Sequence, residues 1–264
     1  MTQNPTDRSK VAVSETIPIT SPAIPDWLID GMPAVHTDFN QRIVLLPEHA
    51  RWRKTPVDGV EVRIMEYVPG DHPRVSAQLR FTPVPGTAHL DGLANIEIFV
   101  QRGMIKSNDA NHSQGEYLRL PYSENPSGQP LFNSVSFEGT PHSALIYLAS
   151  GHMLKSDAET RSIDTTDKSR WLPGPADNTQ VLPLHGHGTG NVMLIRWDGS
   201  VAFKPRLDPR GEEVLVLHGA LHDAKGYYPA GSWIRNPIVA WQSWGAKAGT
   251  MIYYKNGHFD NSWT

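Results

Sequence analysis

Gly115-Glu116-Tyr117-Leu118-Arg119-Leu120-Pro121 returns 116 positions later as Gly231-Ser232-Trp233-Ile234-Arg235-Asn236-Pro237. Both read Gly, any residue, aromatic, aliphatic, Arg, any residue, Pro. Three more blocks repeat around this one in the same order. Gly103 matches Gly219 at the same spacing, and each follows an apolar strand, Ile96 to Val100 and Val214 to Leu217. Upstream, Arg51-Trp52 matches Arg170-Trp171, 119 positions apart. Downstream, Ile146-Tyr147 with Gly151-His152-Met153 matches Ile252-Tyr253 with Gly257-His258-Phe259, 106 positions apart. Four ordered blocks mark a tandem duplication. The shrinking spacing gives the first copy about ten extra residues between Pro121 and Gly139, in a stretch (Ser123 to Ser134) whose Ser, Asn, Pro and Gly content reads as a loop.

Each copy reads as strands. Val60–Tyr67, Val75–Thr82, Gln180–His185 and Val192–Arg196 are rich in β-branched, aromatic and aliphatic residues. Twenty-two glycines and twenty-two prolines punctuate them, and no long stretch carries a helical period. The fold class is therefore all-β: two tandem jelly-roll barrels, a closure that leaves few open strand edges. The expected division is a flexible N-terminal tail over 1–25, a first barrel over 26–155 and a second over 156–264.

The chain has 264 residues, net charge −3 and no cysteine. The charge is too small for a general attraction to nucleic acid. No apolar run approaches the roughly 20 residues needed to span a bilayer, and the N-terminus shows no signal pattern. A cytoplasmic protein that binds neither nucleic acid nor membrane is the expectation. Without cysteine there are no disulfides, thiolate nucleophiles or Cys-ligated clusters.

Gly211-Glu212-Glu213-Val214-Leu215-Val216-Leu217-His218-Gly219 resembles the first cupin motif, and Tyr228-Pro229-Ala230-Gly231-Ser232-Trp233-Ile234-Arg235-Asn236-Pro237 resembles the start of the second. The variety most similar is the ChrR-like cupin, here as a bicupin from about Pro47 onward. That family takes its name from the sensor domain of an anti-sigma factor and includes metal-dependent dioxygenases. Its anti-sigma module is a separate helical, cysteine-bearing segment, which this chain lacks. The resemblance implies a metal-dependent oxygenase acting on a small organic molecule, with iron, manganese, nickel or zinc as the divalent cofactor. It also implies a homodimer. The alternative is a non-catalytic small-molecule binder or sensor whose metal sites are degenerate and hold no cofactor. A metal-free isomerase or lyase using Glu212, Asp208 and His185 as acid and base is a third class.

The family's metal site combines His-x-His, a Glu on the following strand and a later His. In the second copy the carboxylate falls on Glu212, while Arg206 and Asp208 occupy the His-x-His places. The last His falls at Trp241 or Gln242. Asp208 and Glu212 are thus a degenerate metal set, and Arg206 is better placed to pair with Glu212. In the first copy His89 and Asp91 stand at His-x-His, with Glu97 as the carboxylate. Glu97 aligns with Glu213, however, so either a bulge brings it inward or it faces away. Glu124, Asn125 and His142 are the nearest stand-ins for the missing last ligand.

Other residues are candidates for contacting a small-molecule ligand. His185 and His187 share one strand face, and Arg206, His218, Trp241 and Gln242 complete the substrate-binding set. The repeat-matched Arg119 and Arg235 read as structural ion-pair formers. His152 and His258 read as structural residues at the barrel end, and Trp52 and Trp171 as core.

Overall fold

The computed structural model describes residues 24–70, 73–83, 87–107, 110–128, 130–138, 143–203, 206–208, 210–237 and 240–259, with backbone alone at 130, 138, 206–208 and 240–242. The architecture is all-β, two jelly-roll barrels each built on an antiparallel seven-stranded sheet. The first sheet runs, edge to edge, Arg161–Asp164, Glu116–Leu120, Ile96–Arg102, Ala144–Ser150, Arg74–Phe81, Val60–Val68 and Arg53–Lys54. The second runs Ile43–Leu45, Trp233–Asn236, Glu212–His218, Met251–Asn256, Gly190–Trp197, Thr179–His187 and Leu172–Pro173. The repeat maps one order onto the other. Smaller sheets close each barrel, among them Thr87–Leu93 with Asn133–Glu138 in the first and Ala220–Asp223 with Gly226–Pro229 in the second.

The edge strands are exchanged. Ile43–Leu45 lies before the first barrel in sequence but pairs with Trp233–Asn236, and Arg161–Asp164 lies after it but pairs with Glu116–Leu120. Each barrel therefore borrows its last strand from the other half's entrance.

Strand alternation sorts side chains into three layers. On Ile96–Arg102, Ile96, Ile98 and Val100 fill the first barrel with Leu79, Phe81, Leu90 and Ile146. Phe81 stacks on Phe137 at 5.2 Å. Burial of each of these chains contributes about 1.5–3 kcal/mol. Val214, Val216, Ile234 and Ile252 line the second barrel. The opposite faces of the two sheets pack on each other through Phe99, Tyr117, Tyr147, Leu194, Leu215, Trp233 and Tyr253. Both sheet faces are buried, so the central strands carry near-continuous apolar runs (burial of this kind is unusual for antiparallel sheets).

Gly103 and Gly219 close matched hairpins at φ +76° and +67°. A Cβ there would meet Ser143 O or Thr250 Oγ1 at 2.6 Å, which explains why both copies keep glycine. The extra residues of the first copy are not purely loop: Ser123–Glu124 and Pro130–Leu131 pair as a short hairpin. Trp52 and Trp171 are half-buried plates rather than core, with Arg80 and Arg196 each 4.5 Å above a ring. No helix among the described residues is long and apolar enough to cross a membrane.

Candidate functional site

The first barrel does not gather the three residues matched to a metal site. Ala88 and Leu90 point inward on Thr87–Leu93, so His89 and Asp91 face solvent. Glu97 faces the opposite way, into the seam between the sheets, where it meets Lys255 and accepts from Tyr117 Oη at 3.0 Å. Of the alternatives for this strand, facing away is the one adopted. Glu124 is exposed and bonded to Tyr122, and His142 lies outside the described residues.

In the second barrel Glu212 stands on the strand whose Val214 and Val216 line the interior. Glu212 is fully buried, and its Oε1 accepts from Asn236 Nδ2 and Trp244 Nε1, each at 2.8 Å. Strand Arg206–Asp208 pairs with Ala240–Gln242, with Arg206 opposite Gln242 and Leu207 opposite Trp241. The side chains of Arg206, Asp208, Trp241 and Gln242 lie outside the described part. A cavity of about 1230 Å³ opens along the barrel wall beside Trp244. Val181, Met193, Ile195, Phe203 and Tyr254 line it, with Asp177, Asn178, Thr179, Asn191, Asn256 and Arg210 as its polar groups. At one side of the barrel Arg42, from the arm before the exchanged strand, bonds Asp223 at 2.7 Å and lies 5.8 Å over the Trp244 ring.

His218 is not beside Glu212. A register shift between Val216 and His218 turns it out to an exposed position on the rim of a 690 Å³ cleft between the barrels, shared with Trp171 and Arg196. His185 and His187 do share a neighbourhood. His185 Nε2 lies 2.9 Å from Asp157 Oδ2, and His187 Nδ1 lies 3.7 Å from Asp157 Oδ1. Arg119 Nη2 holds the same Asp157 at 2.5 Å. Burial lowers the His185 pKa, against the pull of Asp157. These groups edge a cavity of about 30 Å³ that reaches inward to His152 and His258.

That inner end is a polar cluster at the centre of the seam. The rings of His152 and His258 stack at 5.3 Å with planes 14° apart. His258 Nε2 is 3.2 Å from Glu213 Oε2, and Glu213 Oε1 accepts from Tyr147 Oη at 2.5 Å and Trp233 Nε1 at 2.7 Å. Ligand atoms of His152, Glu213 and His258 all lie within 4.8 Å of one another, a donor set suited to a metal ion. Burial pushes the His258 imidazole down to about 3 and His152 well below its ordinary value. For Glu213, burial acts upward, but the hydrogen bonds from His258 and Tyr147 hold the carboxyl below the usual range. Arg235 ties the cluster to the first half: it pairs with Glu66 and donates to the carbonyls of His36 and Asp38. Arg74 bonds the same Glu66 at 2.8 Å.

The sequence read Arg119 and Arg235 as ion-pair formers, and each pairs with a buried carboxylate; it read His152 and His258 as structural residues at the barrel end and did not place the four in one seam. The signal was present: Glu97 with Glu213, Arg119 with Arg235 and His152 with His258 are matched polar residues. Polar groups kept by both copies fit the face on which the copies meet.

Residues 159–260 match the family model of the ChrR cupin-like domain. No curated protein sequence matches the chain. Among solved structures, the chain is similar to a candidate dioxygenase from Nostoc punctiforme, with TM-score 0.63 and 13% identity over 84% of this chain and 85% of that one. It is similar to protein Ylba from E. coli, with TM-score 0.61 and 14% identity over 89% and 97%. The nickel(II) complex of bacterial pirin YhhW from Escherichia coli gives TM-score 0.57 and 9% identity over 82% and 98%. At these identities the likeness is one of fold. The chain thus carries a ChrR cupin-like domain over residues 159–260, within the fold of the two-barrel cupins.

Proposed function

We propose that this protein is a small-molecule-binding cupin whose second barrel takes the ligand and whose family metal position is degenerate. The observation that carries the reading is the contrast between the barrels. The first is packed with aliphatic and aromatic side chains, whereas the second opens a 1230 Å³ cavity walled by Trp244, Tyr254, Phe203 and Met193. Apolar walls with a few asparagines, one arginine and one aspartate suit an organic molecule with an aromatic or aliphatic body and a polar edge.

Glu212 argues for binding over oxygenase chemistry at this position. An open-site metal needs several imidazoles around the carboxylate. Here an indole N–H and an amide N–H converge on Glu212 Oε1 instead. The oxygenase reading comes from the cupin resemblance with His89, Asp91 and Glu97, which the first barrel does not bring together, and the likeness to the Nostoc protein is one of fold.

Titration with the fluorescent probe 8-anilinonaphthalene-1-sulfonate tests the proposal. The expected result is saturable micromolar binding to protein that retains its cooperative thermal transition, weakened at least tenfold by Met193→Trp, which pushes a bulky indole into the cavity wall. Binding that is absent, or unchanged in Met193→Trp, would overturn it.

A further inference from the structure

Four buried carboxylates face the seam among the described residues, and three have a strong cation of their own. Glu66 takes Arg74 and Arg235, Asp157 takes Arg119, and Glu97 takes Lys255. Glu213, 1% exposed, is different: its ion-pair partner among the described residues is His258. Tyr147 and Trp233 fill its Oε1, leaving Oε2 toward the two stacked histidines. The two rings stack at 5.3 Å beside that oxygen, and each carries a ring nitrogen of the kind that binds metals. Buried carboxylates are costly to leave unsatisfied, and buried charges are paired or coordinate metals.

We propose that His152, Glu213 and His258 hold one divalent transition-metal ion of the zinc and nickel class, which staples the two barrels together at the seam. The site is distinct from the family's position inside a barrel at Glu212. Its ligand atoms lie within 4.8 Å of one another. Nitrogen and oxygen ligands stand about 2 Å from zinc, so tetrahedral closure asks each side chain to move by about an ångström. Two imidazoles and a carboxylate are a recognised zinc donor set that leaves a fourth place for water. The 30 Å³ cavity beside both histidines has room for that water and none for a substrate, so the ion's role is structural.

Two cations flank the site. Arg74 Nη2 is 3.5 Å from His152 Nδ1, and Lys255 lines the same cavity. Arg74 keeps Glu66 and the His258 carbonyl when His152 turns to the ion, and Lys255 keeps Glu97. The ion enters where the cavity reaches the more exposed His187 and Asn191.

The test uses the full chain, stripped with chelator and reloaded with cobalt(II) or zinc(II). About one equivalent is expected, with the visible absorption of tetrahedral cobalt and a rise in melting temperature of roughly 5–10 °C at saturating zinc. His152→Gln and Glu213→Gln lose the band and the shift, whereas Glu212→Gln and His187→Asn keep both. If the seam variants do not fold, X-ray absorption of the zinc-loaded wild type decides, and two imidazoles in the first shell are expected. Substoichiometric metal in the wild type, a shell without imidazole, or full binding by folded His152→Gln overturns the proposal. None of these outcomes bears on the second-barrel pocket, which the fluorescent probe reads.

Discussion

Tyr147, in the first barrel, donates its hydroxyl to Glu213, in the second, at 2.5 Å, and both residues are buried. This hydrogen bond joins the two halves through the buried seam. Its acceptor is ionised, which makes such a bond about twice as strong as a neutral one.

Tyr147→Phe removes this donor and leaves a buried carboxylate short of a partner. The expected cost is about 1.5–3 kcal/mol, or a fall in melting temperature of roughly 3–12 °C. Differential scanning calorimetry measures it. An unchanged transition would mean that Trp233 and His258 alone satisfy Glu213.

Arg235→Ala and Arg80→Ala are expected to differ sharply. Arg235 is fully buried on Glu66, and its loss removes one of that carboxylate's two cations and the donor to the carbonyls of His36 and Asp38, at a cost of about 3–5 kcal/mol. Arg80 pairs with Glu61 at 2.5 Å at the surface, with 40% and 24% of the two side chains exposed. Its loss is expected to cost under about 1 kcal/mol. Urea denaturation of both variants tests the contrast, and comparable losses would contradict it.

Acid is expected to weaken the seam through Glu97. Burial pushes its carboxyl up, but Lys255, Arg119 and a hydrogen bond from Tyr117 hold it below the ordinary value. A carboxyl lowered on folding binds fewer protons in the native state. Its stabilisation is therefore complete above the unfolded value of about 4.3 and is lost as pH falls through the folded value. Stability measured from pH 6 down to pH 3 should fall less steeply in Glu97→Gln than in the wild type. Parallel curves would remove Glu97 from the acid response.

Fragments 26–155 and 156–264, produced separately, are expected to aggregate or remain unfolded. The first lacks Arg161–Asp164 to cover Glu116–Leu120, and the second lacks Ile43–Leu45 to cover Trp233–Asn236. Each also exposes its side of the seam. Coexpression is expected to recover a soluble complex, observable by size-exclusion chromatography. Two stable monomeric fragments would show that the exchanged strands are dispensable.

The sequence carried the duplication and the strand runs openly, because matched glycines, aromatics and arginines recur at nearly fixed spacing. It carried the facing of Ile96 and Glu97 poorly. Where both faces of a sheet are buried, the apolar and polar alternation that fixes orientation disappears, and one position of offset exchanges barrel interior for seam. The placement of His218 depended on a bulge after Val216, which no residue pattern announces. The strand exchange rests on three- and four-residue segments too short to read. Glu66 and Asp157, which hold the matched arginines, do not stand at matched positions, so the repeat could not point to them.

The crossed edge strands also set an order of events during synthesis. The last strand internal to the first barrel ends at Ser150, yet the strand that covers its open edge is complete only at Asp164. Ile43–Leu45, by contrast, is made early and waits through most of translation for Trp233–Asn236. At about 5–20 residues per second, that unpaired segment stays available for roughly 10–40 s. A nascent chain of this design is therefore exposed to pairing with a neighbouring chain on the same messenger, and a slow ribosome widens the interval.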